Sequence, residues 1–424
     1  MHCARCAGPL AAESMRVWFI NRFYWPDEPA TAQMLGDLAE ALAARGWPVS
    51  VIASHPGDAQ TPTVEIRHGV KIYRRRGPRW GQTSVGGKFA DYLLFLVGAG
   101  WQALRSWRRG DVVVAMTDPP LLGVALWPLV ALRRARLIHW TQDIYPEVAM
   151  ALATRPAVRW TLGLLRGPRN FTWRHSAGCV TLGREMSGLI VRNGIAPDRV
   201  VVVPNWAPRG LGPPSAQAVQ HQRNEWHLVG KFAVVYSGNL GRVHDLEPVL
   251  EVAATLRDAP DIVFLFVGTG PRHGALAAQA QGRGLANVFF FPPQPRAQLG
   301  ATLAAGDLHL VTLRPGCQTV VFPSKLYGIA AVARPVIFIG PRECELAALV
   351  RDHTLGFAFA RDDTAAIAAC LRRLSTALDE CRALGAAAGE FHRQEGGLAR
   401  AVTVWERILA DGAAPPPANQ RNDA

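Results

Sequence analysis

The chain has 424 residues, 49% of them hydrophobic and 19% charged, which is typical of a globular protein with two large domains. No apolar run reaches the length of a transmembrane helix. The seven cysteines are scattered without an even disulfide framework, which favours a reducing compartment. The formal net charge of +13 is high and needs an explanation.

The first half of the chain alternates strand-like and helix-like patterns. Residues 1–14 are predicted to be either a mis-assigned start or a disordered leader, since the first strand begins only after Met15. They lack the long apolar core of a signal peptide. Cys3 and Cys6 have neither a second pair nor a histidine partner, so they predict no zinc site. The alternation that follows predicts a parallel sheet with helices on both faces. The predicted strands are residues 17–20, 49–52, 111–116, 136–140, 178–181 and 200–203, with a hairpin arm at 64–73 and a helix at 31–45.

A second domain is predicted after residues 204–214, which are rich in proline and glycine and indicate a linker. We place the first domain at residues 15–205 and the second at 206–397. The tail 411–424 has the composition of a disordered segment. The predicted strands of the second domain are residues 232–236, 262–267, 288–291, 308–311 and 336–339, with helices between them.

Tryptophan and arginine are concentrated in the first half, since eleven of the thirteen tryptophans stand at or before Trp206. Basic side chains mixed with indoles favour contact with an anionic membrane surface. Residues 74–79 and 92–109, with Trp101 and Trp107, are predicted to dock there. Residues 92–100 are predicted as an interfacial or a core helix, and residues 119–132 as a buried one. Nucleic acid is the less favoured partner, and an arginine-rich genome is the alternative explanation of the charge.

Residues 322–339 read as a loop, a short helix and a buried strand, which is how an α/β sheet offers backbone N–H groups to a phosphate. Ser324 and Lys325 lie where a hydroxyl and a cation converge on one anion. An ordinary loop with a solvated lysine remains the alternative. Gly238 follows another predicted strand, so its backbone can approach a ligand closely, and Asn239 and Arg242 are the side chains beside it.

Carboxylates follow two predicted strands of the first domain. Asp143 lies just past residues 136–140, where it could orient an acceptor hydroxyl or cap the next helix. Asp27, Glu28 and Thr31 follow the first strand and are predicted on the acceptor side of the cleft. No Asp-x-Asp stands where it could hold a metal-bound diphosphate, so the sequence predicts no metal site and no cofactor.

Several motifs, in this order and spacing, together resemble the family-4 glycosyltransferases, and in particular the bacterial subgroup that builds capsule, exopolysaccharide or O-antigen units. The resemblance covers roughly residues 16–405. The motifs are Asn21-Arg-Phe-Tyr-Trp-Pro, Thr117-Asp-Pro-Pro, Trp140-Thr-Gln-Asp-Ile-Tyr-Pro-Glu, Val203-Pro-Asn-Trp, Tyr236-Ser-Gly-Asn-Leu-Gly, Val267-Gly-Thr-Gly-Pro and Phe322-Pro-Ser-Lys.

This resemblance implies the GT-B fold, in which two Rossmann-like domains face each other across a deep cleft. It implies a retaining, metal-independent transfer from a nucleoside-diphosphate sugar, above all a UDP-sugar, to a polyprenyl-diphosphate-linked acceptor. The enzyme would be cytoplasmic and peripheral on the inner face of the membrane, with no nucleic acid partner. The helix at 398–410 would return to the first domain. Gln142 and Glu147 match the subgroup's acceptor-side motif, and Gly268 belongs to a donor-side one.

The chain departs from the family at several positions. The usual pair of glutamates would fall at Val320 and Gly328, and many relatives carry arginine and lysine at the positions of Asn239 and His244. Glu343 and Glu345 are available to replace the glutamates, although a first-turn acid also favours a helix dipole. Two other functions remain open, a nucleotide-sugar epimerase of the same fold and a non-catalytic nucleotide-sugar-binding subunit.

Overall fold

The computed structural model describes residues 15–77 and 85–411. The predicted leader, Arg79 and the predicted tail beyond Asp411 lie outside the described residues. The described chain forms two α/β domains, each built on a sheet of mostly parallel strands.

The first sheet has eight strands in the order β3-β4-β2-β1-β5-β6-β7-β8. All neighbours are parallel except β3 and β4, which form an antiparallel hairpin with a turn at His68 and Gly69. β1, β5, β6 and β7 are buried on both faces, which is why they read as continuous apolar runs. The strands are β1 (Val17–Ile20), β2 (Val49–Ser54), β3 (Val64–Arg67), β4 (Val70–Arg75), β5 (Val112–Ala115), β6 (Arg136–Thr141), β7 (Gly178–Thr181) and β8 (Val200–Val202).

Helices cover both faces of this sheet. α2 is much longer than the predicted segment 92–100, because its first turn contains two glycines that give no apolar signal. The helices of this half are α1 (Ala30–Ala44), α2 (Val85–Ser106), α3 (Leu122–Arg133), α4 (Glu147–Leu152), α5 (Pro156–Gly163), α6 (Arg166–Arg174) and α7 (Arg184–Arg192).

The second sheet has six parallel strands in the order β11-β10-β9-β12-β13-β14. Its last strand, β14, is absent from the sequence prediction. The strands are β9 (Phe232–Ser237), β10 (Ile262–Val267), β11 (Val288–Phe291), β12 (Leu308–Thr312), β13 (Val336–Ile339) and β14 (Gly356–Phe359), and the helices are α8 (Ala216–Glu225), α9 (Glu247–Thr255), α10 (His273–Gly282), α11 (Leu299–Ala304), α12 (Lys325–Ala331), α13 (Glu345–Asp352), α14 (Thr364–Thr376), α15 (Leu378–Glu395) and α16 (Leu398–Asp411).

The two domains are joined by shared packing. One hydrophobic cluster combines Ile144 and Met186 of the first domain with Val320, Phe322 and Leu346 of the second. α16, the last helix, packs in the core of the first sheet, where Trp405 lies edge-on to Trp140 with ring centroids 5.0 Å apart. The chain therefore crosses between the domains twice, at the linker and before α16.

Two side chains predicted to meet a membrane are buried instead. Arg74 is 2% exposed and donates to the carbonyl oxygens of Pro62 and Trp25 and to Glu65 Oε1. Trp107 is also 2% exposed and belongs to the core under α2. Both were assigned to the surface because neighbouring residues are basic, although charge runs do not show which face an element buries.

Other side chains of the same region are exposed. Large exposed hydrophobic side chains cluster on α2, α3, α5 and α6, and we call this set the apolar face. α2 lies against α3 at Gly100, and α3 lies against α6 through Trp127 and Phe171, whose rings are 4.9 Å apart. Within the described residues no helix is long and apolar enough to cross a membrane. The apolar face consists of Phe89, Leu93, Leu94, Val97, Trp101, Leu104, Leu132, Val158, Trp160, Leu164, Leu165 and Phe171.

Candidate functional site

Two glycine loops meet at the carboxyl ends of β9 and β10. Gly238 and Gly268 have φ angles of +125° and +141°, which side chains other than glycine rarely adopt. A Cβ on Gly268 would lie 2.2 Å from the carbonyl oxygen of Gly238, so the two backbones can touch only without side chains. Leu240 N donates to Thr269 O at 2.9 Å and fixes the loops together. The result is a bare stretch of backbone at the edge of the second sheet.

Lys325 points its ammonium group toward this backbone. Its Nζ lies 3.5 Å from the centroid of the Tyr236 ring and 3.7 Å from where a Cβ on Gly238 would stand. The Nζ atom is buried and has no hydrogen-bond partner. Burial lowers the pKa of Lys325 well below its usual value. A buried cation without an acceptor is unfavourable, so this position fits a site that an anion completes.

The polar neighbours of Lys325 do not share its charge. His244 Nδ1 lies 2.8 Å from Thr312 O, and burial, together with the nearby Lys325, lowers the pKa of His244 to about 3. His244 is therefore neutral and cannot replace the family's lysine as a cation. Ser324 precedes α12 but makes no side-chain capping bond to it. Asn239 and Arg242 are exposed at the rim of the loop.

Asp143 lies opposite, in the loop after β6. Its backbone forms an antiparallel bridge with Val321, and Ile144 N donates to Val320 O at 2.9 Å. The loop of Asp143 is thus bonded to the segment that leads into Lys325. Burial, and secondarily the charge of Asp118, raises the pKa of Asp143 to about 6. The bridge therefore joins Asp143 of the first domain to a residue of the second domain that lies four positions before Lys325.

A cluster beside Asp143 was missed by the sequence predictions. Arg22 Nε donates to Asp118 Oδ1 at 2.9 Å, and its guanidinium lies 4.9 Å from the centroid of the Tyr92 ring. Burial raises the pKa of Asp118, and it also raises the pKa of Tyr145, with smaller contributions from the charges of Asp143 and Asp118. Two signals in the sequence pointed to it: Arg22 and Asp118 each stand two positions after a predicted strand, and both belong to motifs that carry the family resemblance.

A small cavity of about 30 Å³ opens next to Asp143, behind the start of α3. It is lined by polar groups of His139, Thr141 and Arg169 as well as by the carboxylate. His139 Nε2 is buried without a hydrogen-bond partner, and burial lowers the pKa of this histidine to about 4. The size and the unpartnered nitrogen suit one water molecule rather than a sugar.

Two residues that were predicted on the acceptor side, Glu147 and Gln142, form buried contacts within the protein. Arg169 donates to both carboxylate oxygens of Glu147 at 2.8 Å, and Arg166 Nε donates to Oε1 at 3.0 Å. Glu147 is 8% exposed, so its carboxylate is buried in an ion pair and is not presented to a substrate. Gln142 is also buried, and its Oε1 accepts from Asn205 Nδ2 at 3.3 Å. The motif identified two polar positions, but the sequence could not show that other side chains of the protein bind them.

Glu345, a predicted donor residue, reaches the first domain. Its Oε2 accepts from Glu185 N at 3.2 Å, in the first turn of α7, and its Oε1 lies 3.5 Å from Arg184 Nε. A Cβ on Gly183 would lie 2.5 Å from Oε2, so the contact is close. In this structure Glu345 stabilises the domain contact, while Glu343 is exposed nearby.

The remaining predicted acceptor residues lie in the loop after β1 and at the start of α1. This loop packs on the β3–β4 hairpin, with Arg67 stacked 4.0 Å from the centroid of the Trp25 ring. Glu28 is exposed, whereas Asp27 and Thr31 are partly buried. No group of three or more possible metal ligands occurs among residues 15–77 and 85–411.

Comparisons with known proteins agree with this arrangement. Residues 30–206 match the family described as "Glycosyl transferase 4-like domain", and residues 231–377 match "Glycosyl transferases group 1". The chain is 30% identical over 348 residues to the putative colanic acid biosynthesis glycosyl transferase WcaI of Escherichia coli K12, covering 78% of this chain and 84% of WcaI. It is 28% identical over 266 residues to the probable glycosyltransferase WbjE of Pseudomonas aeruginosa, covering 62% and 65%.

Among solved structures, Anabaena HepE in complex with UDP-glucose superposes with a TM-score of 0.72 at 15% identity, covering 93% of this chain and 99% of HepE. At that identity the likeness concerns the fold alone. It confirms the predicted GT-B arrangement of two Rossmann-like domains.

Proposed function

The chain belongs to the family-4 glycosyltransferases of the GT-B fold, and on that premise we propose that it transfers a sugar from a nucleoside-diphosphate donor to a lipid-linked acceptor in the synthesis of a bacterial surface polysaccharide. A UDP-sugar is the proposed donor, since the HepE structure of the same fold holds UDP-glucose. The name of WcaI, a putative colanic acid biosynthesis glycosyl transferase, supports a role in polysaccharide synthesis. Retention of configuration and independence of metal are part of the proposal.

One observation carries the donor side, the buried and unpaired Nζ of Lys325 beside the bare backbone of Gly238. When a sugar leaves a nucleoside diphosphate, negative charge develops on the departing phosphate. A cation held in a dry site stabilises that charge more strongly than water does. Ser324, Asn239, Arg242 and Gly268 are the proposed neighbours of the diphosphate.

Asp143 is the proposed acceptor-side carboxylate. It lies at the carboxyl end of β6, and its loop is bonded to the loop before Lys325. A carboxyl whose pKa is about 6 is ionised near neutral pH and can accept a hydrogen bond from an acceptor hydroxyl. Asp27, Glu28 and Thr31 would lie at the outer rim of the acceptor side, whereas Glu147 and Gln142 support the loop.

The membrane part of the proposal depends on the apolar face. Exposed apolar side chains beside exposed Arg105, Arg108 and Arg109 suit an anionic bilayer, because indoles and alkyl groups enter the interface while arginines meet the headgroups. Arg105 lies 3.6 Å from the centroid of the Trp101 ring and keeps that indole at the surface. We therefore place the protein on the cytoplasmic face of the membrane.

A panel of nucleotide sugars separates the functional alternatives. The purified protein is incubated with each sugar, with and without a lipid-linked acceptor extract. Free nucleoside diphosphate together with lipid-bound sugar supports a transferase. A changed free sugar indicates an epimerase, and binding without turnover of any donor indicates a non-catalytic subunit.

Co-sedimentation with vesicles tests the membrane contact. Wild type should pellet with phosphatidylglycerol vesicles, less so at high salt, and should ignore phosphatidylcholine vesicles. Changing Arg105, Arg108 and Arg109 to glutamate should leave the protein in the supernatant with unchanged UDP affinity. A control with the same charge change at the exposed Arg283, Arg382 and Arg407 should still pellet. Equal loss in both variants would mean that only net charge matters.

A further inference from the structure

A pair of cations stands on the acceptor side, separate from Lys325. Arg22 is held in place by Asp118, by the Phe23 ring at 4.2 Å and by the Tyr92 ring at 4.9 Å. Only its Nε is bonded to Asp118, and within the described residues its two Nη groups have no acceptor. A guanidinium fixed on three sides with its outer edge open is preorganised for a second anion.

Lys88 is a second cation beside the same tyrosine. It lies one turn before Tyr92 on α2, with its Nζ 5.8 Å from the centroid of the Tyr92 ring. Its side chain is exposed and forms no ion pair with a described carboxylate. Asp118 feels the charge of both cations, and Asp91 lies one turn after Lys88 on α2. Burial raises the pKa of Asp118, which weakens its competition with a phosphate. Arg22 and Lys88 thus both lie beside the Tyr92 ring, and each has N–H groups that bond to no acceptor among the described residues.

The cations are close to the proposed reaction centre. The pKa of Asp143 is raised by burial and then by the charge of Asp118, so these two carboxylates lie near each other. The pKa of Tyr145 is raised first by burial and then by Asp143, Tyr92 and Asp118. In a lipid-linked sugar the diphosphate is attached at the anomeric carbon, while a hydroxyl elsewhere on the ring reacts. An acceptor site therefore needs cations one sugar ring away from the group that meets the hydroxyl. Arg22, which is bonded to Asp118, and Lys88 are the cations that this neighbourhood offers for the diphosphate.

The apolar face begins at the next residue. Phe89, Leu93, Val97 and Trp101 follow Lys88 at helical spacing and are 71%, 53%, 63% and 47% exposed. These residues form one stripe that leads away from the cation pair. A lipid chain that leaves a diphosphate bound at Lys88 would lie along this stripe.

We propose that Arg22 and Lys88 bind the diphosphate of the lipid-linked acceptor, so that its sugar reaches Asp143 and its lipid lies on the exposed stripe of α2. This inference rests on the proposed glycosyltransferase function and specifies its acceptor class. Arg22 supplies a fork of N–H donors for one phosphate, and Lys88 supplies a point charge for the other.

Calorimetry with farnesyl diphosphate as the probe tests the proposal, with farnesol as its uncharged counterpart. Wild type should bind farnesyl diphosphate and bind farnesol far more weakly. Lys88→Gln should weaken farnesyl diphosphate binding about tenfold, which corresponds to about 1.4 kcal/mol. Arg22→Gln should weaken it at least as much, and its thermal unfolding is measured to check that it folds. UDP affinity should stay at the wild-type value in both variants.

Lys71→Gln is the matched control, since Lys71 is exposed in the same domain and its Nζ lies 5.3 Å from the centroid of the Tyr73 ring. It should bind farnesyl diphosphate like wild type. The proposal is overturned if Lys88→Gln binds the probe with wild-type affinity, or if Lys71→Gln loses as much affinity for the probe as Lys88→Gln does. It is also overturned if Lys88→Gln loses only its binding to phosphatidylglycerol vesicles, which would assign the cations to the bilayer surface. If the proposed glycosyltransferase function is wrong, the protein would not bind UDP, while Lys88→Gln would still weaken the binding of farnesyl diphosphate.

Discussion

Two buried cations, one in each domain, differ in how they are paired. In the first domain, Arg169 donates to Glu147 through both Nη groups, donates to Tyr145 O at 2.9 Å and stacks on Trp173 at 3.8 Å. In the second domain, the Nζ of Lys325 lies over the Tyr236 ring and has no hydrogen-bond partner among the described residues. Both are cations in a region that excludes water, yet only Arg169 has its hydrogen bonds satisfied within the chain.

This difference separates a structural charge from a binding charge. Desolvating a cation is unfavourable unless a partner compensates for the loss of water. Arg169 is compensated at all times, so it holds the loop of Asp143 in place. Lys325 has no such partner among the described residues. An anion that binds there would supply the partner and offset the desolvation of the cation. The following predictions test this contrast.

Removing the partner of Arg169 should have the largest effect. Glu147→Gln leaves a buried guanidinium without its anion, and we expect the free energy of unfolding to fall by about 3–5 kcal/mol. Urea denaturation measures this loss. The double variant Glu147→Leu with Arg169→Met should recover much of the stability. A change of less than about 1 kcal/mol in Glu147→Gln would mean that the pair contributes no more than a surface salt bridge.

Removing Lys325 should impair function and spare stability. Lys325→Ala should slow transfer by about a hundredfold or more, because the departing diphosphate loses its cation. Lys325→Arg should restore only part of the rate, since a guanidinium has a different reach. Lys325→Met should be at least as stable as wild type in urea. Normal UDP affinity by calorimetry together with a normal rate would contradict the assignment of Lys325.

The acidic limb of the pH profile should report Asp143. If the carboxylate is the active form, kcat/KM should fall below about pH 6, where the folded protein protonates this residue. Asp118→Asn should move the limb to lower pH by less than a unit, because it removes the smaller of the two causes. The limb should vanish from the residual activity of Asp143→Asn. A limb that is unchanged in Asp143→Asn would assign it to another group.

The same pKa has a consequence for stability. The pKa of Asp143 is higher in the folded chain than its usual 3.8, so between about pH 4 and 6 the folded state binds the extra proton. The contribution of this residue to stability is therefore present at low pH and is lost as the pH rises through that window. Urea titrations of wild type and Asp143→Asn at pH 4 and pH 7 should show the difference.

We expect a chelator to leave the transfer rate unchanged. The sequence contains no Asp-x-Asp suited to a metal-bound diphosphate, and Lys325 supplies positive charge at the proposed phosphate position. We expect the same transfer rate with and without EDTA. A rate that EDTA abolishes and Mg²⁺ or Mn²⁺ restores would show that Lys325 does not act alone on the leaving group.

The alternation of apolar runs was sufficient to predict the α/β class, because strands buried on both faces are continuous apolar segments. All eleven predicted strands, such as residues 17–20 and 336–339, coincide with observed strands to within two residues at each end. β14 was missed because its four residues contain a glycine and only moderate apolar character. The start of α2 was missed because Gly86 and Gly87 interrupt the helical pattern.

For the site, the sequence by itself pointed to Gly238 and Asp143, which follow predicted strands, and to Lys325, which stands where a loop leads into a predicted helix. Only the tertiary structure decided which of the charged groups are already paired. Glu147 meets Arg169 from 22 positions away, Glu345 meets α7 from 160 positions away, and Arg22 meets Asp118 from 96 positions away. Local periodicity reports the face that an element buries, whereas these pairings depend on elements that only folding brings together. The same limit explains why Arg74 was predicted at the surface and is buried.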